Sequence, residues 1–415
     1  MAEKFKAPRG TFDVLPEDTR VRHRIVEVSS RVLETAGYRR IDLPIFEDTD
    51  LFARGVGEST DIVQKQMFTF EDQGGRSLTL RPEATASVCR AYLEHGMQTL
   101  AQPVKLWTDG PFFRHERPQA GRYRQFNQVD AESIGSDSPL VDAELILLAN
   151  DVITELGVEG VTLKLGSLGT PATRAAYLDE LRTYLRSQES DLSEEVRNRI
   201  DANPLRAFDA DHEGTRKVMA DAPRLLDRLD SEDAEHFSTV REQLDGNGIT
   251  YDIDPTLVRG LDYYTRTVFE FDCERLGAQS GIGGGGRYDG LMELLGGAPT
   301  PACGWALGVD RIALALDQQE GAESEDELRG VFVVAEDGDR ARALTLVTEL
   351  RHAGIRADLD LAGRAMKGQM KQADRFGARH AVILGGDAKA TVRDMSSGEE
   401  REVDPATLVE TLSAP

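Results

Sequence analysis

The chain has few cysteines, and their arrangement is not one that binds a metal or forms a disulfide framework. Its 415 residues include three cysteines and seven histidines. Cys89, Cys273 and Cys303 are far apart and form no C-x-x-C pair, so a zinc site is not expected. Small buried thiols in a reducing compartment are the simpler interpretation, and we predict a protein without a metal site.

Long apolar runs are also absent from the sequence. The N-terminus lacks the basic and then apolar order of a secretory signal, and no run approaches the ~20 residues of a membrane-spanning helix. We therefore expect a soluble, cytoplasmic protein with no membrane partner. A length of 415 residues exceeds what a single compact core supports and predicts two or three domains.

Lysine is scarce, and the charge of the chain is strongly negative. Nine lysines stand against 40 arginines, and the net charge is −24 at pH 7. Such a surface is typical of salt-adapted proteins, because a Debye length of about 3 Å at 1 M salt screens self-repulsion. An ordinary acidic protein with few lysines is the alternative. The charge disfavours nonspecific nucleic-acid binding, so any contact with RNA must rest on local arginine clusters.

Apolar periodicity predicts an α+β protein built on an antiparallel sheet with helices. The helices predicted in the first three quarters of the chain are 17–38, 83–95, 288–295 and 305–316. The predicted strands are 39–44, 77–80, 104–113, 124–134 and part of 257–273. Residues 170–250 are acidic and rich in helical patterns, which indicates a helical insertion.

The acidic segment 318–327 is the best candidate for a linker. Strands predicted at 331–334, 355–359 and 381–384 alternate with helices at 340–352 and 364–376, which favours a small α/β domain. We therefore predict three domains. They are a catalytic core of residues 1–169 and 251–320, an insertion of residues 170–250, and a C-terminal domain of residues 328–415.

The first of four segments suited to chemistry runs from residue 113 to residue 128. Arg114 and Glu116 precede an arginine-rich loop, and Phe126 lies on the returning strand. Arginine binds phosphate oxygens through paired N–H groups, and an aromatic face can stack on a purine. An exposed arginine-rich hairpin without a ligand would show the same pattern, and taken alone the two interpretations carry equal weight.

The second segment is LVRGLDYY at 257–264. The glycine beside Arg259 would let a ligand approach the backbone closely. The hydroxyl groups of Tyr263 and Tyr264 would point to opposite faces of a strand. A strand with aromatic residues in the core is the alternative interpretation.

The third and fourth segments follow in the same half of the chain. The glycine run 281–286 formally matches G-x-G-x-x-G, but it lacks the strand–turn–helix context of a dinucleotide fold and the G-K-[ST] of a P-loop. We interpret it as a glycine wall beside a substrate. In GWALGVDR at 304–311, Arg311 near a helix N-terminus could bind a polyphosphate or lie on the surface of an amphipathic helix.

Together these segments resemble the class II aminoacyl-tRNA synthetases, and among them the histidyl-tRNA synthetase family. Residues 113–128 resemble motif 2, residues 304–311 motif 3 and residues 37–47 motif 1. LVRGLDYYTRTVFEF and GGGGRYDGL resemble the two histidine-specific peptides, and RGTFDVLP and RPEAT match as well. The resemblance covers almost the whole chain. Three positions depart from the family's common residues, namely Ala84 for glycine, Asn127 for histidine and Trp305 for phenylalanine.

The resemblance implies that histidine is activated with ATP and then transferred to the 3′ end of tRNA(His). Histidine would be bound by Glu83, Ala84, Thr85, Arg114, Gln128, Glu132, Arg259, Tyr263, Tyr264 and Tyr288. Among these, the resemblance places Glu83, Thr85 and Gln128 against the α-ammonium group. It places Glu132 and Tyr264 against the imidazole.

The resemblance also implies how ATP is bound. The expected ATP-binding residues are Arg114, Glu116, Phe126, Arg259 and Arg311, with Mg²⁺ accompanying the β- and γ-phosphates. Arg114 and Arg259 are the expected catalytic residues, because arginines can stabilise the charge that builds on the α-phosphate without proton transfer.

The partners implied are tRNA(His) and a second copy of the chain, since motif 1 forms the family's dimer interface. The acceptor end would meet Arg117, Arg122 and Arg124, and the insertion would clasp the acceptor stem. In the C-terminal domain the expected basic helix face that reads the anticodon consists of Arg364, Lys367, Lys371 and Arg375. A merely solvated helix face is the alternative for this second group.

Three other functions have to be weighed. A synthetase-like regulatory subunit of ATP phosphoribosyltransferase shares the core, but such proteins typically lose the intact LVRGLDYY peptide and the anticodon domain. A synthetase for threonine, proline or glycine would lack LVRGLDYY and GGRYDGL. A protein-interaction module on an inactive synthetase fold would not be expected to keep Arg114, Arg259 and Arg311.

Overall fold

The structure is a computed structural model, and it describes residues 5–57, 60, 62–257, 261–317, 330–385 and 389–413. The chain divides into two compact units, residues 1–322 and 323–415. The predicted linker, 318–327, lies outside the described residues.

The first unit contains the following elements. Its strands are β1 (Arg39–Arg40), β2 (Phe46–Asp48), β3 (Phe68–Glu71), β4 (Ser77–Leu80), β5 (Val104–Phe113), β6 (Gln125–Ile134), β7 (Val161–Ser167), β8 (Asp252–Ile253), β9 (Thr265–Cys273), β10 (Gly281–Arg287) and β11 (Ala302–Gly308). Its helices are α1 (Pro16–Thr35), α2 (Thr49–Val56), α3 (Thr85–Glu94), α4 (Pro139–Leu156), α5 (Pro171–Ser187), α6 (Glu194–Arg199), α7 (Glu213–Ala220), α8 (Ser231–Gly246), α9 (Leu291–Leu294) and α10 (Val309–Asp317).

Eight of these strands form one large sheet in the order β1-β5-β6-β11-β10-β9-β7-β8. All neighbours from β5 to β7 are antiparallel, and only the short edge strands β1 and β8 run parallel to their neighbours. A small antiparallel sheet, β2-β4-β3, lies beside it. The predicted α+β class with an antiparallel sheet is confirmed.

Helices cover both faces of the large sheet. On one face, Trp107, Val129 and Ala131 share a core with α1, α4, α8 and α10. On the other face, Leu106 and Ile134 share a core with α3, α5 and α9. Because side chains alternate along a strand, the even-numbered residues of β6 point to this second face, which carries the cleft described below.

Residues at both ends of α1 explain where this helix begins and ends. α1 begins at Pro16, whose fixed φ suits the first helical position, and Glu17 faces the positive end of the helix dipole. It ends before Gly37, whose φ of +85° is a left-handed conformation that favours glycine. Leu33 is fully buried, and burial of such a side chain contributes about 1.5–3 kcal/mol.

Two elements predicted as helical are helical only in part. The glycine run does not open a helix over 288–295; it forms β10, and α9 comprises only four residues. The segment from Trp305 to Gly308 is part of β11, and α10 begins at Val309. The reason is close packing between strands, since a Cβ on Gly283 would lie 2.7 Å from the carbonyl oxygen of Ala306. Glycine permits β10 and β11 to approach each other this closely, which a helix would not require.

The second unit is a five-stranded mixed sheet with helices. Its elements are β12 (Val331–Ala335), α11 (Arg340–His352), β13 (Ala357–Leu359), α12 (Met366–Arg375), β14 (His380–Leu384), β15 (Ala390–Asp394), β16 (Glu400–Val403) and α13 (Leu408–Ser413). The strand order is β13-β12-β14-β15-β16, with the first three parallel. The predicted α/β alternation is confirmed, whereas the β15–β16 hairpin was not predicted.

Candidate active site

A cleft on the second face of the large sheet brings together most of the predicted site residues. Side chains on its wall come from β6, β10, β11 and the segments before α3 and β9. The predicted residues that line it are Glu83, Thr85, Arg114, Glu116, Arg122, Phe126, Gln128, Tyr263, Tyr264, Tyr288 and Arg311. Residues more than 200 positions apart in the sequence therefore meet in one cavity.

Two predicted residues lie behind the wall of the cleft instead of lining it. Ala84 is fully buried, and Glu132 is only 1% exposed. One carboxylate oxygen of Glu132 accepts a hydrogen bond from Thr85 Oγ1 at 2.6 Å, and the other accepts one from the hydroxyl of Tyr288. Burial raises the pKa of Glu132 to about 8. Glu132 therefore holds the two cleft residues in place from behind.

The tyrosines of the second segment lie just before β9 and not within it. The rings of Tyr263 and Tyr264 are 4.8 Å apart, and Tyr263 contacts the ring of Tyr288 at 5.6 Å. All three rings are buried on the same side of the sheet. The prediction that the paired hydroxyls point to opposite faces of a strand is therefore wrong. Arg259, in the same segment, lies outside the described residues.

Unpartnered acceptor oxygens are found among the residues that line the cleft. Within the described ranges, Glu83 Oε2, Gln128 Oε1 and Asp130 Oδ2 are buried and have no hydrogen-bond partner. Burial raises the pKa of Glu83 and of Asp130. Asp130 was not predicted as a site residue. Its two-residue spacing from Gln128 on the same strand would have placed it on the same face.

Two arginines that line the cleft are held by backbone carbonyl oxygens. Arg114 donates from Nε to the carbonyl oxygen of Pro82 at 2.9 Å, and its guanidinium carbon lies 5.2 Å from the centre of the Phe126 ring. Arg311 is the third residue of α10. It donates from Nε to the carbonyl oxygen of Gly121 at 2.8 Å and from Nη1 to that of Gly281. Arg311 thus joins the arginine-rich loop to β10.

The arginines of that loop differ in their surroundings. Arg117 and Arg122 are exposed, and Arg122 forms an ion pair with Glu116. Arg124 is partly buried and donates to the carbonyl oxygens of Glu116 at 3.3 Å and Arg9 at 3.5 Å. Arg124 therefore holds the N-terminal segment against the loop, while Arg117 is turned to the surface.

The predicted basic face of the second unit is partly altered by the structure. Lys367, Lys371 and Arg375 are exposed on α12. Arg364 lies two residues before this helix and donates to Asp360 at 2.6 Å. The prediction that all four belong to one helix is therefore wrong for Arg364. The other three keep the four-residue spacing that places side chains on one helix face.

A buried ionic cluster fixes the end of β10, directly before Tyr288. Arg287 is fully buried and donates to Asp142 at 2.5 Å and to the carbonyl oxygen of Ser136 at 2.9 Å. The second oxygen of Asp142 is 2.7 Å from His236 Nε2 on α8. Burial raises the pKa of Asp142, but the hydrogen bond with His236 and the charge of Arg287 outweigh it and hold this pKa below its usual range. The sequence offered no signal for this cluster.

Other features of the described part of the chain bear on cofactors. Cys89, Cys273 and Cys303 are buried and unpaired, and burial raises the pKa of the Cys89 and Cys303 thiols. Across the described ranges, no group of three His, Cys, Asp or Glu side chains has an arrangement that could hold a metal ion. Among the helices described, none is both long enough and apolar enough to cross a membrane.

Comparison with known families matches nearly the whole chain. The profile described as histidyl-tRNA synthetase matches residues 10–312. The profile described as anticodon binding domain matches residues 330–414. The two profiles follow each other in the order that the sequence motifs imply.

Individual proteins give the same result. The histidine–tRNA ligase of Corynebacterium jeikeium is 47% identical over 420 aligned positions, which cover 99% of this chain and 94% of the relative. The apo S. aureus histidyl-tRNA synthetase superposes with a TM-score of 0.83 at 38% identity, covering 99% of this chain and 100% of that one. An ATP phosphoribosyltransferase regulatory subunit/histidyl-tRNA synthetase from Bacillus halodurans is similar in fold alone, with a TM-score of 0.68 and 22% identity over 94% of this chain and all of that one.

Proposed function

Because the chain belongs to the histidyl-tRNA synthetase family, we propose that its cleft forms histidyl-adenylate from histidine and ATP and then charges tRNA(His). The activity, ligation of histidine to tRNA, follows from membership in the family. The observation that supports this use of the cleft is the combination of groups that line it. Unpartnered acceptor oxygens of Glu83 and Gln128 line the same cavity as Arg114 and Arg311.

The unpartnered acceptor oxygens of the cleft suit the amino acid. The α-ammonium group of histidine would donate to Glu83, Thr85 and Gln128, because a carboxylate and neutral oxygens suit a cation with three N–H groups. The imidazole would lie among Tyr263, Tyr264 and Tyr288. Glu132 acts through Tyr288 and Thr85, whose hydroxyl groups already donate to it. A site of hydrogen-bonding groups rejects isosteres that lack them far better than an apolar pocket does.

The arginines that line the cleft suit ATP and the adenylation step. Phe126 would stack on adenine beside Glu116, and Arg311 would contact the γ-phosphate. The histidine carboxylate attacks the α-phosphorus in line, so that a new O–P bond forms as the bond to the leaving pyrophosphate breaks. Arg114 and Arg259 stabilise the charge on the equatorial oxygens. No covalent enzyme intermediate is needed.

Mg²⁺ fits this cleft only as an ion carried by the nucleotide. Mg²⁺ commonly binds one or two carboxylates together with phosphates and waters. Glu270 lines the cleft and would supply such a carboxylate. The ion would supply charge neutralisation on the β- and γ-phosphates.

The proposal extends to tRNA. In the second step the terminal hydroxyl of tRNA attacks the carbonyl carbon of the adenylate, and AMP leaves. Arg117, Arg122 and Arg124 would contact the acceptor end, and the insertion of residues 170–250 would clasp its stem. The second unit would bind the anticodon through Lys367, Lys371 and Arg375, with Arg364 beside them.

Further proposals concern the whole molecule. We propose a homodimer assembled through residues 37–47, a cytoplasmic location, and adaptation to high salt, the last because of the net charge of −24 with nine lysines. We also propose a division into three domains. They are a core of residues 1–169 and 251–320, an insertion of residues 170–250 and a domain of residues 328–415.

Amino-acid-dependent ATP–pyrophosphate exchange tests the proposed function. In roughly molar KCl, chosen because it screens the surface charge, exchange should occur with histidine and with no other standard amino acid. Arg259→Ala should abolish exchange while histidine still binds, because the residue acts on the α-phosphate. No exchange in folded protein that binds histidine would indicate the regulatory paralogue instead. Near-normal exchange in the variant would remove Arg259 from the mechanism.

A further inference from the structure

Asp130 is a carboxylate in the cleft to which the proposed function gives no role. It lies on β6 between Gln128 and Glu132, on the strand face that lines the cavity. The side chain is 2% exposed, and its Oδ2 has no hydrogen-bond partner among the described residues. A buried carboxylate without a partner is costly. Its presence in the wall of a cavity therefore points to a ligand that supplies the missing donor.

The charges that face Asp130 do not supply this donor. Burial is the main cause that raises its pKa, and Glu132 and Glu83 raise it further, while Arg81 and Arg114 lower it. Arg81 donates to the carbonyl oxygens of Pro111 at 2.9 Å and Leu43 at 3.3 Å, and Arg114 donates to that of Pro82. Both arginines are thus directed to backbone oxygens.

Three unpartnered oxygens belong to residues that line the cleft, and all three are acceptors. They are Glu83 Oε2, Gln128 Oε1 and Asp130 Oδ2. A primary ammonium group has three N–H donors and one positive charge, which matches this set in number and in sign. A neutral donor such as an imidazole N–H would satisfy one oxygen and leave the carboxylates uncompensated.

We infer that Asp130 contributes to specificity for the cationic amine of the substrate, by accepting a hydrogen bond from the α-ammonium group in addition to Glu83, Thr85 and Gln128. Four acceptors for three N–H groups require that one N–H is shared between two oxygens, as in a three-centre hydrogen bond. This inference rests on the proposed function, because it takes histidine as the occupant of the cleft. Asp130 adds a second carboxylate to the amine subsite. Discrimination against ligands that lack the amine should therefore depend on this residue as well as on Glu83.

Binding of two histidine analogues to Asp130→Asn tests the inference. Histidinol keeps the ammonium group and lacks the carboxylate, whereas 3-(imidazol-4-yl)propionate keeps the carboxylate and lacks the ammonium group. By calorimetry, the variant should bind histidine and histidinol roughly 10- to 100-fold more weakly than the original protein, the scale of a lost charge-assisted hydrogen bond. It should bind the deamino analogue about as well as the original protein does.

Asp109→Asn is the matched control. Asp109 lies on the neighbouring strand β5 and pairs with Arg40 at 2.9 Å, and it does not line the cleft. This substitution should leave all three affinities unchanged. An equal loss of histidine and of the deamino analogue in Asp130→Asn would show a merely structural role, and an unchanged affinity for histidine would also overturn the inference.

A measurement on the unaltered protein keeps the inference testable if the variant does not fold. Burial raises the pKa of Asp130 and also that of Glu83 in the ligand-free cleft. A bound ammonium group would lower both pKa values and the deamino analogue would not, so histidine should release more protons on binding than the analogue, as calorimetry in buffers of different ionisation enthalpy would reveal. Equal proton release with both ligands would overturn the role of Asp130. Failure of the unaltered protein to bind histidine at all would instead overturn the proposed function.

Discussion

At the scale of single residues, Glu132 shows how the cleft is held from behind. The carboxylate does not line the cavity. Both of its oxygens nevertheless accept hydrogen bonds from hydroxyl groups of residues that do line it. Gly304 on β11 makes room for it, because a Cβ at this position would overlap a carboxylate oxygen of Glu132. A glycine on one strand thus lets an acid on the next strand set the positions of Thr85 and Tyr288.

The raised pKa of Glu132 predicts a pH-dependent stability of the ligand-free protein. The group ionises near pH 4.3 in the unfolded chain but at about 8 when folded. Between these values the folded state binds more protons, so the free energy of unfolding should fall as pH rises from about 5 to 8. Glu132→Gln should reduce this slope. Urea denaturation at pH 5.5 and 8 would measure it.

The control for this experiment is Glu27→Gln, since Glu27 is exposed on α1. It should keep the slope of the original protein. Glu83 and Asp130, whose pKa values are also raised by burial, should leave part of the slope in Glu132→Gln. An identical slope in Glu132→Gln and in the original protein would contradict the assignment.

The residues that the sequence identified and those that it missed differ for a physical reason. Arg114 and Arg311 belong to segments whose residue types suit phosphate binding, so a pattern indicated them, whereas Gln128 was indicated by the resemblance to the synthetase family. Arg287 and Asp142 meet across 145 positions, and their pairing depends on how α4 packs on the sheet. Long-range packing of this kind leaves no local pattern.

At the scale of elements, strands and helices with a clear period were predicted well. β4 and β5 have the predicted ends, and α11 does as well. β10 was not predicted as a strand, and the second half of β11, residues 305–308, was predicted as helix, because a glycine-rich segment has almost no side-chain period to interpret. Their strand form depends on β9 and β11 approaching the bare backbone, which is a property of the assembled sheet.

The basic face of α12 predicts a separable effect on tRNA. In Lys367→Glu/Lys371→Glu, the KM for tRNA should rise at least about tenfold. The logarithmic salt dependence of binding should become shallower by roughly two, one for each lost phosphate contact. Pyrophosphate exchange should be unchanged, because it does not require tRNA. Aminoacylation and exchange assays on the same variant would measure the difference.

The matched control reverses two exposed arginines of α11 in the same unit, Arg342→Glu/Arg351→Glu. It changes the net charge by the same amount at a different surface. A similar rise in KM for tRNA in this control would indicate a general charge effect. An unchanged KM in the α12 variant would exclude this face from tRNA binding.

At the scale of the whole molecule, charge predicts the response to salt. A net charge of −24 produces self-repulsion that dilute buffer screens over about 10 Å and molar salt over about 3 Å. The exchange rate and the melting temperature should therefore rise between 0.1 and roughly 2 M KCl. Sucrose, which favours burial but screens no charge, is the control. Activity that peaks in dilute buffer would contradict salt adaptation.

The bare backbone of β10 has a consequence for resistance to inhibitors. The backbone of Gly283 and Gly284 forms part of the cleft wall, and side chains at Gly283 and Gly285 would collide with β11. An inhibitor that binds these peptide groups touches atoms that every amino acid shares. A point mutation leaves these backbone groups in place. A larger side chain at Gly283 or Gly285 would disrupt the packing of the sheet before it prevented the inhibitor from binding.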